Sequence, residues 1–400
     1  MYQKIAMASL TTALLLSCPY TGKHLHGVPG ATTDAAGVAA VKGEEGDLFL
    51  LAGTYTSEKG SKGVYVYRFN TITGKSDFVT MAEVANPSYL TLSPDEKFVY
   101  TVGENDSGNS AAHAFSFDKH HGILTSVNIS MTLGSGPCYI AMHPEGKEVH
   151  TANYGDGSIT SFQVNKDGSL TPATSVIQFE GSGPDSIRQK SPHLHSVMYS
   201  PDGRFLFASD LGTDKLYRFT VCDTPFDGQP LVQKNSLREF NMPSGTGPRH
   251  FDFHPEGGRY LYVLGELSGE VIVFDYSFGE LTQKQVIAAD TVGARGSADI
   301  HVSPNGHFLY ASNRLRADGV AIFAIDPEEG TLTRVGYQPT VKHPRNFVIT
   351  PNGKFLLVAG RDDDRIQVFS VDAETGLLTD IHQPIVLSRP VCLKFARMGE

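Results

Sequence analysis

Apolar and polar positions alternate along this chain in short bursts, and no segment carries the three- and four-residue apolar spacing of a long amphipathic helix. The bursts are arranged around a recurring phrase. It reads Ser93-Pro94-Asp95-Glu96-Lys97-Phe98, His143-Pro144-Glu145-Gly146-Lys147, Ser200-Pro201-Asp202-Gly203-Arg204-Phe205, His254-Pro255-Glu256-Gly257, Ser303-Pro304-Asn305-Gly306-His307-Phe308 and Thr350-Pro351-Asn352-Gly353-Lys354-Phe355. Pro fixes its own φ, and Gly or Asn tolerates positive φ, so each phrase reads as a hairpin turn. Strand-like runs such as Tyr139-Ile140-Ala141-Met142 and His250-Phe251-Asp252-Phe253 precede it, and β-branched or aromatic runs follow. A third run then leads to a turn at Gly122, Gly168, Gly330 or Gly376, with Leu close behind, and a weaker fourth run comes next. From Pro to Pro the steps are 50, 57, 54, 49 and 47 residues. Four short strands repeated at that interval predict an all-β fold, a β-propeller.

The full phrase occurs six times, yet the blade count is expected to be seven. Residues 48–53, 63–70 and 77–83 read as second, third and fourth strands with no first strand before them. Val391-Cys392-Leu393-Lys394-Phe395 reads as a first strand with nothing after it. The two orphans complete one blade, so the C-terminal strand is expected to close the ring and remove its exposed sheet edges. The domain then spans 47–400.

Composition narrows the function. Net charge is −10, which argues against a nucleic-acid groove. Trp is absent, which argues against the WD type of repeat. Lys4 precedes an apolar run from Ile5 to Leu16 that ends Leu15-Leu16-Ser17-Cys18. The run is short for a membrane span and reads as an export signal over 1–18, with Cys18 in a lipoprotein-like cleavage box. Residues 19–46 read as a flexible tether. The expected location is the cell envelope or periplasm, with membrane contact only through a lipid on Cys18. Three further thiols, Cys138, Cys222 and Cys392, are odd in number and lack metal-ligand spacing, so free thiols are expected rather than a disulfide or a metal site.

Strand direction alternates within a blade. With the Pro-Asp-Gly hairpins on one face, the entrances to first strands and the exits of second strands must share the other. Those segments hold Pro192-His193-Leu194-His195, Gly247-Pro248-Arg249-His250, Ala298-Asp299-Ile300-His301 and His343-Pro344-Arg345-Asn346, together with Glu104, Asn153-Tyr154-Gly155, Glu266 and Asn313-Arg314. Acids, imidazoles and guanidiniums are thus gathered at one mouth, where loops on a rigid scaffold build sites. No nucleophile elbow, phosphate-cradling loop or cofactor motif accompanies them, and no cofactor is expected.

These motifs, in this order, resemble the seven-bladed propeller lactonases, the propeller type of 6-phosphogluconolactonase, which are related to fungal carboxy-cis,cis-muconate cyclase. The resemblance covers roughly residues 48–395. It implies a carboxylic-ester hydrolase acting on a sugar lactone, with His195, Arg249, Arg314 and Glu266 in the active site. Position at the mouth and along the inner strands adds His193, His250, Asp299, His301, Arg345 and Asn153 as candidate substrate contacts. The residue types agree with the chemistry. Lactone hydrolysis needs a base for water, positive charge beside the developing oxyanion and an acid for the leaving alkoxide. Either His195 or Glu266 can be the base on sequence grounds. Two other functions remain open at this level: a cycloisomerase of the muconate cyclase type, and an envelope binding propeller without turnover.

Overall fold

The computed structural model describes residues 43–105, 108–222 and 230–399. The expected signal, Cys18 and most of the tether lie outside them. Among the described residues there are strands and a single 3-10 turn, Arg361–Asp363.

The strands form seven sheets, each built around an antiparallel path of four. Blade 1 is the closing blade. Its innermost strand is Pro390–Arg397, paired with Asp47–Thr54, and then come Gly63–Asn70 and Ser76–Glu83. Blades 2 to 7 follow in chain order, with innermost strands Leu90–Leu92, Pro137–Met142, Leu194–Tyr199, Pro248–Phe253, Ser297–Val302 and Pro344–Ile349. Each innermost strand touches the next, and Pro390–Arg397 touches both Pro344–Ile349 and Leu90–Leu92, so the ring is closed as expected.

The second strands explain the apolar bursts. Phe205–Asp210, Tyr260–Gly265, Phe308–Asn313 and Phe355–Gly360 are buried along their whole length. A strand covered on both faces needs no polar alternation. In blade 1, Phe49 and Leu51 pack toward the core shared with blade 2, while Leu50 and Ala52 pack toward blade 7. Fourth strands such as Val232–Asn241 sit at the rim and are mostly exposed, which is why their signal is weak in the sequence.

The repeated phrases are confirmed as one hairpin design. Ser200 Oγ donates to Asp202 Oδ1 at 2.6 Å and accepts from the Phe205 amide at 3.1 Å, and Ser93, Ser303 and Thr350 repeat the pattern. The Gly-Leu turns stitch blades together. Tyr100, Tyr262 and Tyr310 donate their hydroxyls to the carbonyls of Gly168, Gly330 and Gly376 in the following blade, at 2.9 to 3.0 Å. At Gly330 a Cβ would meet the ring of Tyr260 at 2.4 Å, so this close approach requires glycine.

Candidate active site

One hydrogen bond recurs in all seven blades and sets the mouth. The residues that follow the second strands are Tyr55, Glu104, Tyr154, Leu211, Glu266, Arg314 and Arg361. Their backbone amides donate to the carbonyls of Arg389, Asn86, Gly136, His193, Gly247, Gly296 and His343, each just ahead of its blade's first strand. Five of these seven residues, Tyr55, Glu104, Tyr154, Glu266 and Arg314, reach the mouth from the same point of their blade's frame, whereas Leu211 is buried and Arg361 lies off the cavity.

A second ring comes from bulges. In blades 3, 4, 5 and 7 the pairing of first and second strands skips Cys138, His195, Arg249 and Arg345. An extra residue of this kind is left out of the ladder and its side chain is re-aimed. In blade 1 the skipped residue is Val391, and in blade 6 the extra residue falls at Ala298-Asp299.

The two rings enclose a cavity of about 290 Å³. Its lining takes Tyr55, Glu104, Tyr154, Glu266 and Arg314 from the strand ends, Cys138, His195 and Arg345 from the bulges, and Arg188 from the connection between blades 3 and 4. Cys138, Tyr55 and Arg188 were not placed at the mouth from sequence, and Glu104 and Tyr154 were placed there without a site role. Tyr55 was findable, because it occupies the same position after its strand as Glu104 and Glu266. Arg188 lies in a long linking segment with no repeat to mark it.

Glu266 is the electrostatic hub. Arg188 Nη2 lies 2.6 Å from Oε1, while Arg249 Nε and Arg314 Nη2 lie 3.0 and 3.1 Å from Oε2. The Arg249 Nε contact is close but lacks hydrogen-bond geometry, so it acts as an ion pair alone. Burial by itself would raise the Glu266 pKa. Arg314, Arg249 and Arg188 outweigh burial and bring it down to about 2. Arg249 is 1% exposed and stands behind Glu266 rather than on the lining, with Nη1 donating to the Ala298 carbonyl. Arg314 is anchored through Nε and Nη2 to the carbonyls of Gly296 and Ser297. Burial pulls its pKa down to about 9 against the pull of Glu266.

His195 carries no charge at neutral pH. Burial first, then Arg249 and His250, hold its pKa well below 6.5. Its Nδ1 lies 3.7 Å from the Cys138 sulfur, and burial pushes that thiol's pKa up. Arg345 differs from the other arginines. Among the described residues it has no ion pair within 4.0 Å, and its guanidinium lies over the Tyr55 ring, 5.5 Å from the centroid. Burial would lower its pKa, but Tyr55 and Glu104 more than reverse this, so it stays charged.

The remaining expected site residues lie off the lining. His193 stacks on the Tyr154 ring at 4.4 Å, with Nδ1 2.7 Å from the Tyr154 carbonyl, so it braces the wall. Asn153 spends its amide inside blade 3 on Ser158 and Thr160, both at 2.9 Å. His250, Asp299 and His301 run along the inner strands as a chain. His250 Nδ1 donates to Asp299 Oδ1 at 2.7 Å, and His301 Nε2 lies 3.1 Å from Asp299 Oδ2. Asn346 and the Phe347 amide also donate to Asp299, and Asn346 accepts from the Leu393 amide of the closing strand. This carboxylate therefore ties blades 5, 6 and 7 together and, through Asn346, reaches blade 1. It faces inward to structure rather than to a ligand.

Burial would lower the His301 pKa, but Asp299 and Asp252 raise it to about 9. A raised folded-state value means stabilisation that is complete below about 6.5 and lost as pH rises through about 9. The melting temperature of the wild type is expected to fall over that range, and the His301→Gln variant is expected to lack this alkaline limb. Parallel melting curves in both proteins check it.

The three thiols, Cys138, Cys222 and Cys392, are free. Among the described residues no group of three or more His, Cys, Asp or Glu is arranged to hold a metal ion.

Comparison with known proteins agrees with the geometry. Residues 49–395 match the family described as lactonase, 7-bladed beta-propeller. A 6-phosphogluconolactonase of Bacillus subtilis is 34% identical over 351 residues, covering 86% of this chain and 97% of that protein. A protein of the same name from Formosa agariphila is 34% identical over 352 residues, covering 85% and 97%. Among solved structures, the periplasmic gluconolactonase of Pseudomonas aeruginosa is 33% identical, with a TM-score of 0.82, covering 88% of this chain and all of that one.

Proposed function

This chain belongs to the seven-bladed β-propeller lactonase family, and we propose that its mouth hydrolyses the ring ester of a sugar-acid lactone. The relatives supply the class, since they include 6-phosphogluconolactonases and a gluconolactonase. The observation that carries the reading is a division of labour inside one small cavity. A neutral imidazole, His195, and a guanidinium without a carboxylate partner, Arg345, line the same cavity as a carboxylate saturated by three arginines, Glu266.

In the proposed reaction His195 accepts a proton from water as the water oxygen bonds to the lactone carbonyl carbon. With Nδ1 turned to the Cys138 sulfur, Nε2 is the nitrogen left to take that proton. Charge develops on the carbonyl oxygen, where Arg345, seconded by Arg314, offsets it. The ring C–O bond then breaks. The imidazolium, destabilised by burial and by Arg249, returns its proton to the leaving alkoxide. The product is the open-chain hydroxy acid. Glu266 is a poor base, because both of its oxygens are already held by guanidiniums and none is free to face the water. It keeps Arg314 aimed and limits the net positive charge of the mouth.

We further propose export, supported by the leader pattern before Cys18, with lipid attachment at that cysteine.

A proton-release assay on glucono-1,5-lactone and on its 6-phosphate tests the proposal. Purified, folded protein should open at least one of them well above the spontaneous rate. Arg345→Gln should lower kcat about a hundredfold, as loss of an oxyanion donor does. Folded protein that accelerates neither lactone would remove the reading.

A further inference from the structure

We propose that Glu104, oriented by Tyr55, is the residue that reads the hydroxyl groups of the substrate. This rests on the lactonase reading and extends it to a second carboxylate. The cavity has two, and they differ sharply in what they can still accept. Glu266 has both oxygens occupied by guanidiniums. Glu104 accepts a hydrogen bond from the Tyr55 hydroxyl, 3.1 Å from Oε1 and 2.9 Å from Oε2, and has no ion pair within 4.0 Å among the described residues.

A carboxylate offers about four lone-pair sites, so one phenol leaves most of them open. Cys138 and Arg345 are the other ionisable side chains that feel Glu104 from the walls beside it, and Tyr55 also feels the charge of Arg345. Arg345, Arg314 and Arg188 with Glu266 occupy blades 5 to 7 and the approach to blade 4, and suit the ester. Tyr55, Glu104 and Cys138 occupy blades 1 to 3, and the guanidiniums of Arg345 and Arg389 lie over the Tyr55 ring, 5.5 and 5.4 Å from its centroid. An open carboxylate beside a guanidinium with no carboxylate partner fits a molecule whose hydroxyls lie next to its developing oxyanion.

Position supports the pairing. Tyr55 and Glu104 are the strand-end residues of neighbouring blades, held by the same recurring backbone bond, to the carbonyls of Arg389 and Asn86. Their side chains thus meet across one blade boundary without any long linking segment. Tyr55 fixes the carboxylate and acts only through it.

The test is the isosteric Glu104→Gln variant, with Tyr55→Phe beside it and melting curves to confirm folding. Two readouts are used: steady-state hydrolysis of glucono-1,5-lactone, and calorimetric binding of gluconate, which needs no turnover. Hydrogen bonds to a charged acceptor support a loss of about 10- to 100-fold. Glu104→Gln should raise KM and gluconate Kd by that factor, with the loss falling on KM rather than kcat, and Tyr55→Phe should move both the same way by less. A fall in kcat at constant KM would make Glu104 a proton acceptor and overturn the proposal, as would unchanged gluconate binding. If the wild type binds gluconate through Glu104 but hydrolyses no lactone, the lactonase reading fails and the hydroxyl site stands.

Discussion

His195→Ala is expected to give a folded propeller whose kcat on its lactone is lowered about 10²- to 10⁴-fold, the usual contribution of a positioned acid–base group. The side chain is 5% exposed and is skipped in the pairing of its strand, so truncation leaves the neighbouring ladder intact. The fold should therefore survive the change, and a melting curve separates lost chemistry from lost structure. The pH profile tests the charge state. Burial, Arg249 and His250 keep His195 neutral well below 6.5, so wild-type kcat/KM should show no inflection near the ordinary histidine value. An inflection near 6.5 that disappears in His195→Ala would contradict the neutral imidazole.

Removing Glu266 should damage the protein in a different way. Glu266→Ala leaves Arg188, Arg249 and Arg314 without their shared counter-charge, and two of those guanidiniums are buried. Breaking a buried ion pair from one side costs about 3–5 kcal/mol, so a marked loss of stability is expected alongside loss of activity. The arrangement also has a pH signature. The folded-state pKa of Glu266 is depressed to about 2 from 4.5. The stabilisation is complete above 4.5 and is lost as pH falls toward 2. Denaturant titrations of wild type and variant at neutral pH and at about pH 3 check both statements, because the stability gap should narrow in acid. A second change, Arg249→Met, removes one unpaired charge and should recover part of the loss. A double variant no more stable than Glu266→Ala would show that repulsion among the arginines is not the cause.

Several site residues were legible because the repeat itself carries them. Glu104, Glu266 and Arg314 follow recognisable second strands, and His195, Arg249 and Arg345 enter recognisable first strands. The repeat did not reveal which of them reach the cavity. Arg249 looks equivalent to His195 and Arg345 in the sequence, since each follows one residue into its first strand. In the fold it stands behind Glu266 with its Nη1 on the Ala298 carbonyl. Asn153 looked like a ligand contact because it ends a second strand, but Ser158 and Thr160 of its own blade use up its amide donor. Arg188 could not have been singled out. Its partner Glu266 is 78 residues away and the segment between has no period linking them.

Alone, the order of residues determined the blade count, the hairpin turns and the closure by the last strand, because local turn chemistry and strand spacing repeat every blade and closure follows from the unmatched ends. Tertiary structure decided which polar groups share a cavity and which are spent on one another. That choice depends on burial, on the bulge that turns a single side chain out of its ladder, and on charges brought together from blades far apart in the chain, and none of these is a local property.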